Sequence, residues 1–521
     1  MADRYINTVC FVRSYEYYGD YYKEGAEVLK KHTELYNKYG LPATYLLEYD
    51  AMVRDEYRKI LKENIGISSE IGLWLEIVGE LAYDAEVRWR SERQRNWDHY
   101  ACPGFIISYS PDEKKKLIDT AMKQFKKYFG EYPKTVGSWL IDSLSMSYMS
   151  EKYEVDAFII CREQWGMDGY TLWGGPYYGP YYPSIGNMLC PAQTQENKIN
   201  TPVFRMYVND PIYCYYEFAK EKINGIDYGL FTQEPTWLRG QDPNWVEWCM
   251  NSVFNKNAAG FLYYQLGQEN TFGWSRELAE ALEMQCRFTV DNQEKYGYEF
   301  CTVGDMGRKF KAEYNGTPDS LRFALTDWAG RGNQSVWFNS GRYRCNVFSD
   351  GKRAWIRDLH LFSDYYRDRY LDTHCRTRGA VYDNPPIMDG VRFSHGEVKN
   401  PDIYARQRIS AADCAEMYIG EGRIEACRYD GGAAEITIGA CGGIRMRLME
   451  DSIELSRRSG ESLKLDLKIG EGASDICEVN KKAVIYKHNG FGYSLKMLSG
   501  YIENMSLLSE NGILKFGFDE R

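Results

Sequence analysis

Through the first 300 residues, short apolar runs alternate with stretches whose apolar positions recur at helical spacing. Residues 6–13, 43–49, 71–77, 135–141, 157–162, 202–208, 228–232 and 260–265 predict strands. Between several of them, residues 21–39, 51–62, 111–129 and 274–288 predict helices. The third opens on Ser110-Pro111-Asp112-Glu113, which places proline and acids in a first turn. Strand and helix repeated this often imply a parallel sheet, and seven or eight such units imply a closed or nearly closed barrel. After about residue 300 the period changes. Segments 320–327, 332–339, 433–438, 444–448, 462–469 and 482–487 are short and bounded by Gly, Asn and Asp, the pattern of an antiparallel β-sandwich. Residues 357–370, rich in Asp, Arg and Tyr, fit neither pattern. The division expected is a barrel over 1–300 and a sandwich over 301–521.

Charge and composition narrow the partners. Lys and Arg number 64 against 74 Asp and Glu, a net charge of −10, which argues against a nucleic-acid backbone as partner. No apolar run approaches the roughly 18–20 residues that span a bilayer. Met1-Ala2-Asp3-Arg4 leads straight into a strand with no apolar export core, so a cytoplasmic location without membrane contact is expected. The 14 cysteines are scattered from Cys10 to Cys477 with no CxxC pair, as small buried residues of a reducing compartment would be. A homo-oligomer is compatible with all of this.

Aromatic residues make up 15% of the chain, and ten of the 13 Trp lie before residue 275. Such rings pack cores, and they also stack on the CH faces of sugars. In parallel barrels the reactive side chains stand at the C-terminal strand ends. Those ends carry Arg13, Glu48, Asp50, Trp74, Glu76, Trp139, Asp142, Arg162, Glu163, Gln164, Arg205, Asp210, Gln233, Glu234, Gln268 and Glu269. Carboxylates gathered on one rim repel one another and need a reason to stay together. The chain lacks a GxSxG elbow, a P-loop, an HExxH helix and a GxGxxG turn. Acids among aromatic surfaces suit glycosidic-bond chemistry: one carboxyl protonates the leaving oxygen, and another attacks the anomeric carbon or activates water. The expected partner is therefore a carbohydrate.

Ser69-Glu70-Ile71-Gly72-Leu73-Trp74 resembles the His-Glu-Ile-Gly-Asn-His segment of polysaccharide deacetylases. Those proteins belong to the NodB-like glycoside hydrolase/deacetylase superfamily with a (β/α)7 barrel. The resemblance extends over Pro42–Asp50, Glu70–Glu76, Gly137–Asp142, Asp168–Gly175, Tyr181–Ser184, Pro191–Gln193, Asp210–Ile212 and Gly267–Asn270. It implies a (β/α)7-type parallel barrel over residues 1–300, followed by a β-sandwich. The deacetylase metal ligands are an Asp after the first strand and a His-x3-His pair on the third. Here Arg13, Trp74 and Val78 stand at those places, which disfavours a metal and leaves no cofactor expected.

The remaining branch is similar to the metal-free retaining glycosidases of family 57. That resemblance implies Asp142 as nucleophile, with Glu234 or Glu269 as acid/base. Sugar contacts are expected from Arg13, Glu48, Asp50, Glu76, Gln164, Arg205, Asp210 and Gln268. Trp74, Trp139, Trp173, Tyr177 and Trp237 would form walls. The Gly- and Pro-rich run 173–182 reads either as a lid over the site or as a packed loop. The rival functions are a metal-dependent carbohydrate deacetylase and a non-catalytic sugar-binding barrel.

Overall fold

The computed structural model describes residues 3–16, 19–20, 22–92, 96–167, 170–215, 231–390, 416–439, 443–457, 459–469 and 475–520. Seven strands form the barrel: β1 (Arg4–Val12), β2 (Ala43–Glu48), β3 (Glu70–Trp74), β4 (Thr135–Gly137), β5 (Ala157–Cys161), β6 (Val203–Met206) and β7 (Leu262–Leu266). They pair in the order β6-β5-β4-β3-β2-β1-β7, every pair parallel. Eight of the nine residues of β1 and all those of β2, β5 and β7 are buried, because helices cover one face of the sheet and the other lines the barrel. The sheet ends on β6 and β7, and there a side chain bridges the gap. The Tyr263 hydroxyl accepts from the Arg205 amide at 2.9 Å and donates to the Arg205 carbonyl at 2.8 Å.

The outer layer holds α1 (Tyr22–Lys38), α2 (Asp55–Asn64), α3 (Pro111–Phe129), α4 (Ser143–Tyr153), α5 (Pro243–Val253), α6 (Arg276–Asp291) and α7 (Val303–Glu313). Helix α3 begins at Ser110, whose hydroxyl and the Glu113 carboxylate form a reciprocal capping box, and stops at the left-handed Gly130. The helix expected over 51–62 is interrupted at Val53 and Arg54, where Arg54 turns extended. The sheet expected over 135–141 ends at Gly137, so the chain leaves the barrel earlier and delivers Asp142 to the start of α4. Residues 228–230 of the expected seventh strand lie outside the described residues, as does Asp168. Helix α7 packs on the barrel through Val303, Met306 and Phe310.

The C-terminal half is a sandwich of two antiparallel sheets, beginning at Ser320–Ala324 and closing at Ile513–Glu520. Its core includes Leu321, Phe338, Ile356, Ile436, Leu455, Leu495 and Phe516. In the outer sheet, Ala433–Ile438 and Ile444–Met449 alternate buried and more exposed positions. In the other sheet, Gln334–Asn339 and Tyr343–Ser349 are buried throughout. The reason is the barrel, which covers the second face of that sheet. Trp337 belongs to the barrel core, stacked on Tyr177 with ring centroids 4.0 Å apart. A further strand, Ala380–Asp383, pairs in parallel with Tyr170–Trp173, which follows β5 and belongs to a separate three-stranded sheet, and takes Ala380 and Tyr382 into the same core.

Candidate active site

Arg13, one residue beyond β1, is the centre of the rim. Its guanidinium meets Glu76 at 2.6 Å, Glu269 at 2.8 Å and Glu48 at 3.7 Å. The rings of Phe11, Trp74, Trp97 and Trp139 surround it at 5.5 to 5.9 Å. The Trp74 indole donates to Glu76 at 2.8 Å. Trp74 and Trp139, expected as walls for a sugar, close around a protein cation. Arg13 is 3% exposed, so the attraction acts with little screening by water.

Three carboxylates share this one cation, and the surplus negative charge must be neutralised. At Glu48, burial and the Asp50 and Glu76 carboxylates push the pKa well above the carboxylate range, opposed by Arg13. Neither Glu48 oxygen receives a hydrogen bond, which favours its neutral form in the same direction. Glu234, beyond the last residues of the expected seventh strand, behaves similarly. Burial and the Glu269 carboxylate push it up to about 8, against hydrogen bonds from the Glu269 amide and the Trp237 indole and the charge of Arg162. Glu269 is held by Arg13 and by the Thr271 hydroxyl. Glu234 Oε1 and both side-chain polar atoms of Gln268 are buried and meet no hydrogen-bond partner among the described residues. Unfilled hydrogen-bonding capacity at one end of a barrel is what a polyhydroxylated ligand would fill.

Trp237, whose indole donates to Glu234, is half-buried and 6.5 Å from Phe272. Leu238 beside it is 65% exposed and Phe272 37%. Neither Leu238 nor Phe272 stood out in the sequence, because a single exposed apolar residue carries no periodicity.

Other rim residues are committed elsewhere. Asp142 caps α4, accepting from the Ser145 amide and hydroxyl at 3.0 Å each, and pairs with Lys114 at 3.1 Å. Asp368, from the stretch that fitted neither pattern, stands against this pair. Burial and then the Asp142 charge push its pKa up to about 8. Asp50 accepts from the Ser14 amide, the Ser14 hydroxyl and the Tyr15 amide, which fastens the loop after β1. Asp210 accepts from two backbone amides and from the indoles of Trp245 and Trp328.

Trp173 and Tyr177 face the sandwich. Trp173 donates to Asp389 at 3.0 Å, and Tyr177 stacks on Trp337 and donates to the Asn209 carbonyl at 2.9 Å. Both are 2% exposed, so run 173–182 is packed between the two halves and is not a lid. Arg205 donates to the Cys161 and Gly174 carbonyls and pairs with Glu163 at 3.5 Å. Gln164 accepts from the Cys161 thiol at 3.4 Å. Sequence reading singled out neither Lys114 nor Asp368. A lysine in the first turns of an amphipathic helix reads as solvated, and Asp368 is 226 positions from its partner Asp142 in the chain.

The fold invites a metal at this end of the barrel. The donor set does not suit one: the convergence point of Glu48, Glu76 and Glu269 is filled by the Arg13 guanidinium, and Trp74 and Val78 offer no ligand atoms for a borderline metal.

No protein-family model and no curated protein matches the sequence. Among solved structures, a candidate glycoside hydrolase/deacetylase from Parabacteroides distasonis overlaps 78% of this chain and 93% of its own, with TM-score 0.51 and 13% identity. A candidate polysaccharide deacetylase from Mycobacterium smegmatis (TM-score 0.37, 10% identity) covers 60% of this chain and 91% of its own. A GH57-type branching enzyme from Pyrococcus horikoshii (0.31, 13%) covers 61% and 71%. The chain shares the fold of the first of these, and it has the nearly closed parallel barrel joined to an antiparallel sandwich that the motifs implied.

Proposed function

We propose that the protein is a glycoside hydrolase, with Glu234 as the general acid and Glu269 as the carboxylate that attacks the anomeric carbon. The observation that carries this reading is the pairing itself. Glu234 keeps its proton to about pH 8 because Glu269 stands beside it in a buried site. A carboxyl whose pKa is raised, beside a carboxylate paired with a guanidinium, is the equipment for cleaving an acetal. Glu234 would protonate the leaving oxygen, and Glu269, held by Arg13 and Thr271, would form the bond to the sugar. Water activated by the deprotonated Glu234 would then release the sugar with retained configuration. Gln268 and Glu76 would hold hydroxyl groups, and Trp237 the sugar face nearest solvent.

Asp142, the nucleophile implied by the family-57 likeness, has both oxygens engaged by Ser145 and Lys114, and Glu269 replaces it in this reading. The test is hydrolysis of a panel of aryl glycosides of both anomers, with EDTA present, by the wild type and by Glu234→Gln and Glu269→Gln. Aryl release by the wild type and its loss in both variants is the expected result. Silence across the panel, or undiminished release by either variant, would sink the proposal.

A further inference from the structure

A second concave surface lies beside the rim, outside the carboxyl cluster. Its cavity of about 620 Å³ is within the roughly 300–1,000 Å³ of small-molecule sites. Tyr83, Trp89 and Tyr128 line it together with the polar side chains of Glu80, Asp84 and Gln124. Tyr83 is 84% exposed, a large ring with no packing reason to be where it is.

Charge narrows what would bind. Glu80 is matched by Arg54 at 3.2 Å, and Asp84 accepts from the Tyr49 hydroxyl at 2.5 Å. Asp84 pairs with no cation among the described residues, so the wall as a whole disfavours an anion. The walls offer ring faces and hydrogen-bond acceptors, the pair of features that a neutral sugar matches with its CH face and its hydroxyls.

Chain connectivity ties this groove to the catalytic rim. Asn96 lines the groove, accepts from the Gly79 amide at 2.6 Å and donates to the Tyr15 hydroxyl at 3.2 Å. The next residue, Trp97, is in the ring cage 5.5 Å from Arg13. Tyr15 itself is two residues beyond Arg13. One loop therefore presents one side chain to each place.

We infer that this groove is a carbohydrate-binding subsite that holds a neutral sugar of a longer chain at a distance from the bond being cleaved. The inference rests on the glycosidase reading for its substrate class, and it adds that the natural substrate is an oligosaccharide or polysaccharide.

The test is affinity electrophoresis of the full chain in gels containing soluble starch, mixed-linkage β-glucan or galactomannan. The wild type is expected to be retarded in at least one. Tyr83→Ala, a surface change, should weaken that retention about tenfold, the worth of one lost stacking contact. Glu234→Gln should be retarded like the wild type, and Tyr83→Ala should hydrolyse small aryl glycosides at the wild-type rate. No retardation in any gel, equal retardation of Tyr83→Ala, or loss of retardation in Glu234→Gln would each overturn the subsite. Retention with no hydrolysis of any glycoside would remove the glycosidase reading and leave the groove standing as a binding site.

Discussion

Asp142 and Glu234 sit on the same end of the same barrel, and both are buried, yet they are built for different ends. Asp142 has a helix N-terminus, a serine hydroxyl and a buried lysine, so its charge is fully answered. Asp210 is a second case of that kind: burial pushes it up to only about 6 because two amides and two indoles donate to it. Glu234 is close to another carboxylate, has an oxygen without a partner and is held up to about 8. Burial is common to all three. Partners decide which carboxyl fastens the fold and which is left with chemistry to do.

The largest effect that would break or sharpen this contrast is on turnover. Glu234→Gln should cut kcat/KM for an aryl glycoside by about 10²–10⁴-fold, the usual worth of a general acid, with the melting temperature unchanged or raised. Next is Arg13→Met. It leaves Glu76 and Glu269 without their shared cation and should cost about 3–5 kcal/mol of stability, read by denaturant unfolding.

Asp142→Asn should show the opposite balance to Glu234→Gln. It strands Lys114 and should lose about 1–3 kcal/mol, while the folded enzyme keeps its turnover. A collapse of turnover at unchanged stability would instead make Asp142 the nucleophile.

The smallest effect is a shift in pH. Activity should fall on the alkaline side with a midpoint near 8, where Glu234 loses its proton. Trp237→Phe removes an indole hydrogen bond that favours the ionised form, so that midpoint should move upward by less than about one pH unit. The same group bears on stability. Its native pKa is raised, so the native state holds a proton that the unfolded chain has already lost between pH 4.5 and about 8. Its contribution is full below 4.5 and is lost as pH rises through that window, a trend that thermal melts across the range would read for wild type and that Glu234→Gln should flatten.

Much of the barrel was legible because parallel strands buried on both faces read as apolar runs: 43–49, 157–162 and 260–265 fall within two residues of β2, β5 and β7. Pro111–Phe129 was legible to the residue because its proline, acids and terminal glycine are local signals. The carboxyl rim was legible by position, since Arg13, Glu48, Glu76, Glu234 and Glu269 do converge. What position could not show was commitment. Asp50, Asp142 and Asp210 have the same sequence appearance as Glu234 and differ in their donors, some of them, such as Lys114 on Asp142 and Trp328 on Asp210, brought from distant segments. The aromatic run 173–182 stayed open between lid and packed loop for a similar reason, since a ring that packs on a second domain and a ring that stacks on sugar have the same composition.

The strand Ala380–Asp383 has a consequence for how the molecule is made. Trp337, Cys375, Ala380 and Tyr382 join the core of a barrel whose strands β1 to β7 are finished by residue 266. A nascent chain emerging N-terminus first therefore exposes Trp173 and its neighbours for as long as the ribosome takes to add more than a hundred further residues. The first half cannot mature as an independent unit during translation, as N-terminal domains ordinarily do. Its completion waits on the last third of the polypeptide, and until then the unfinished wall is a surface for chaperones to shield.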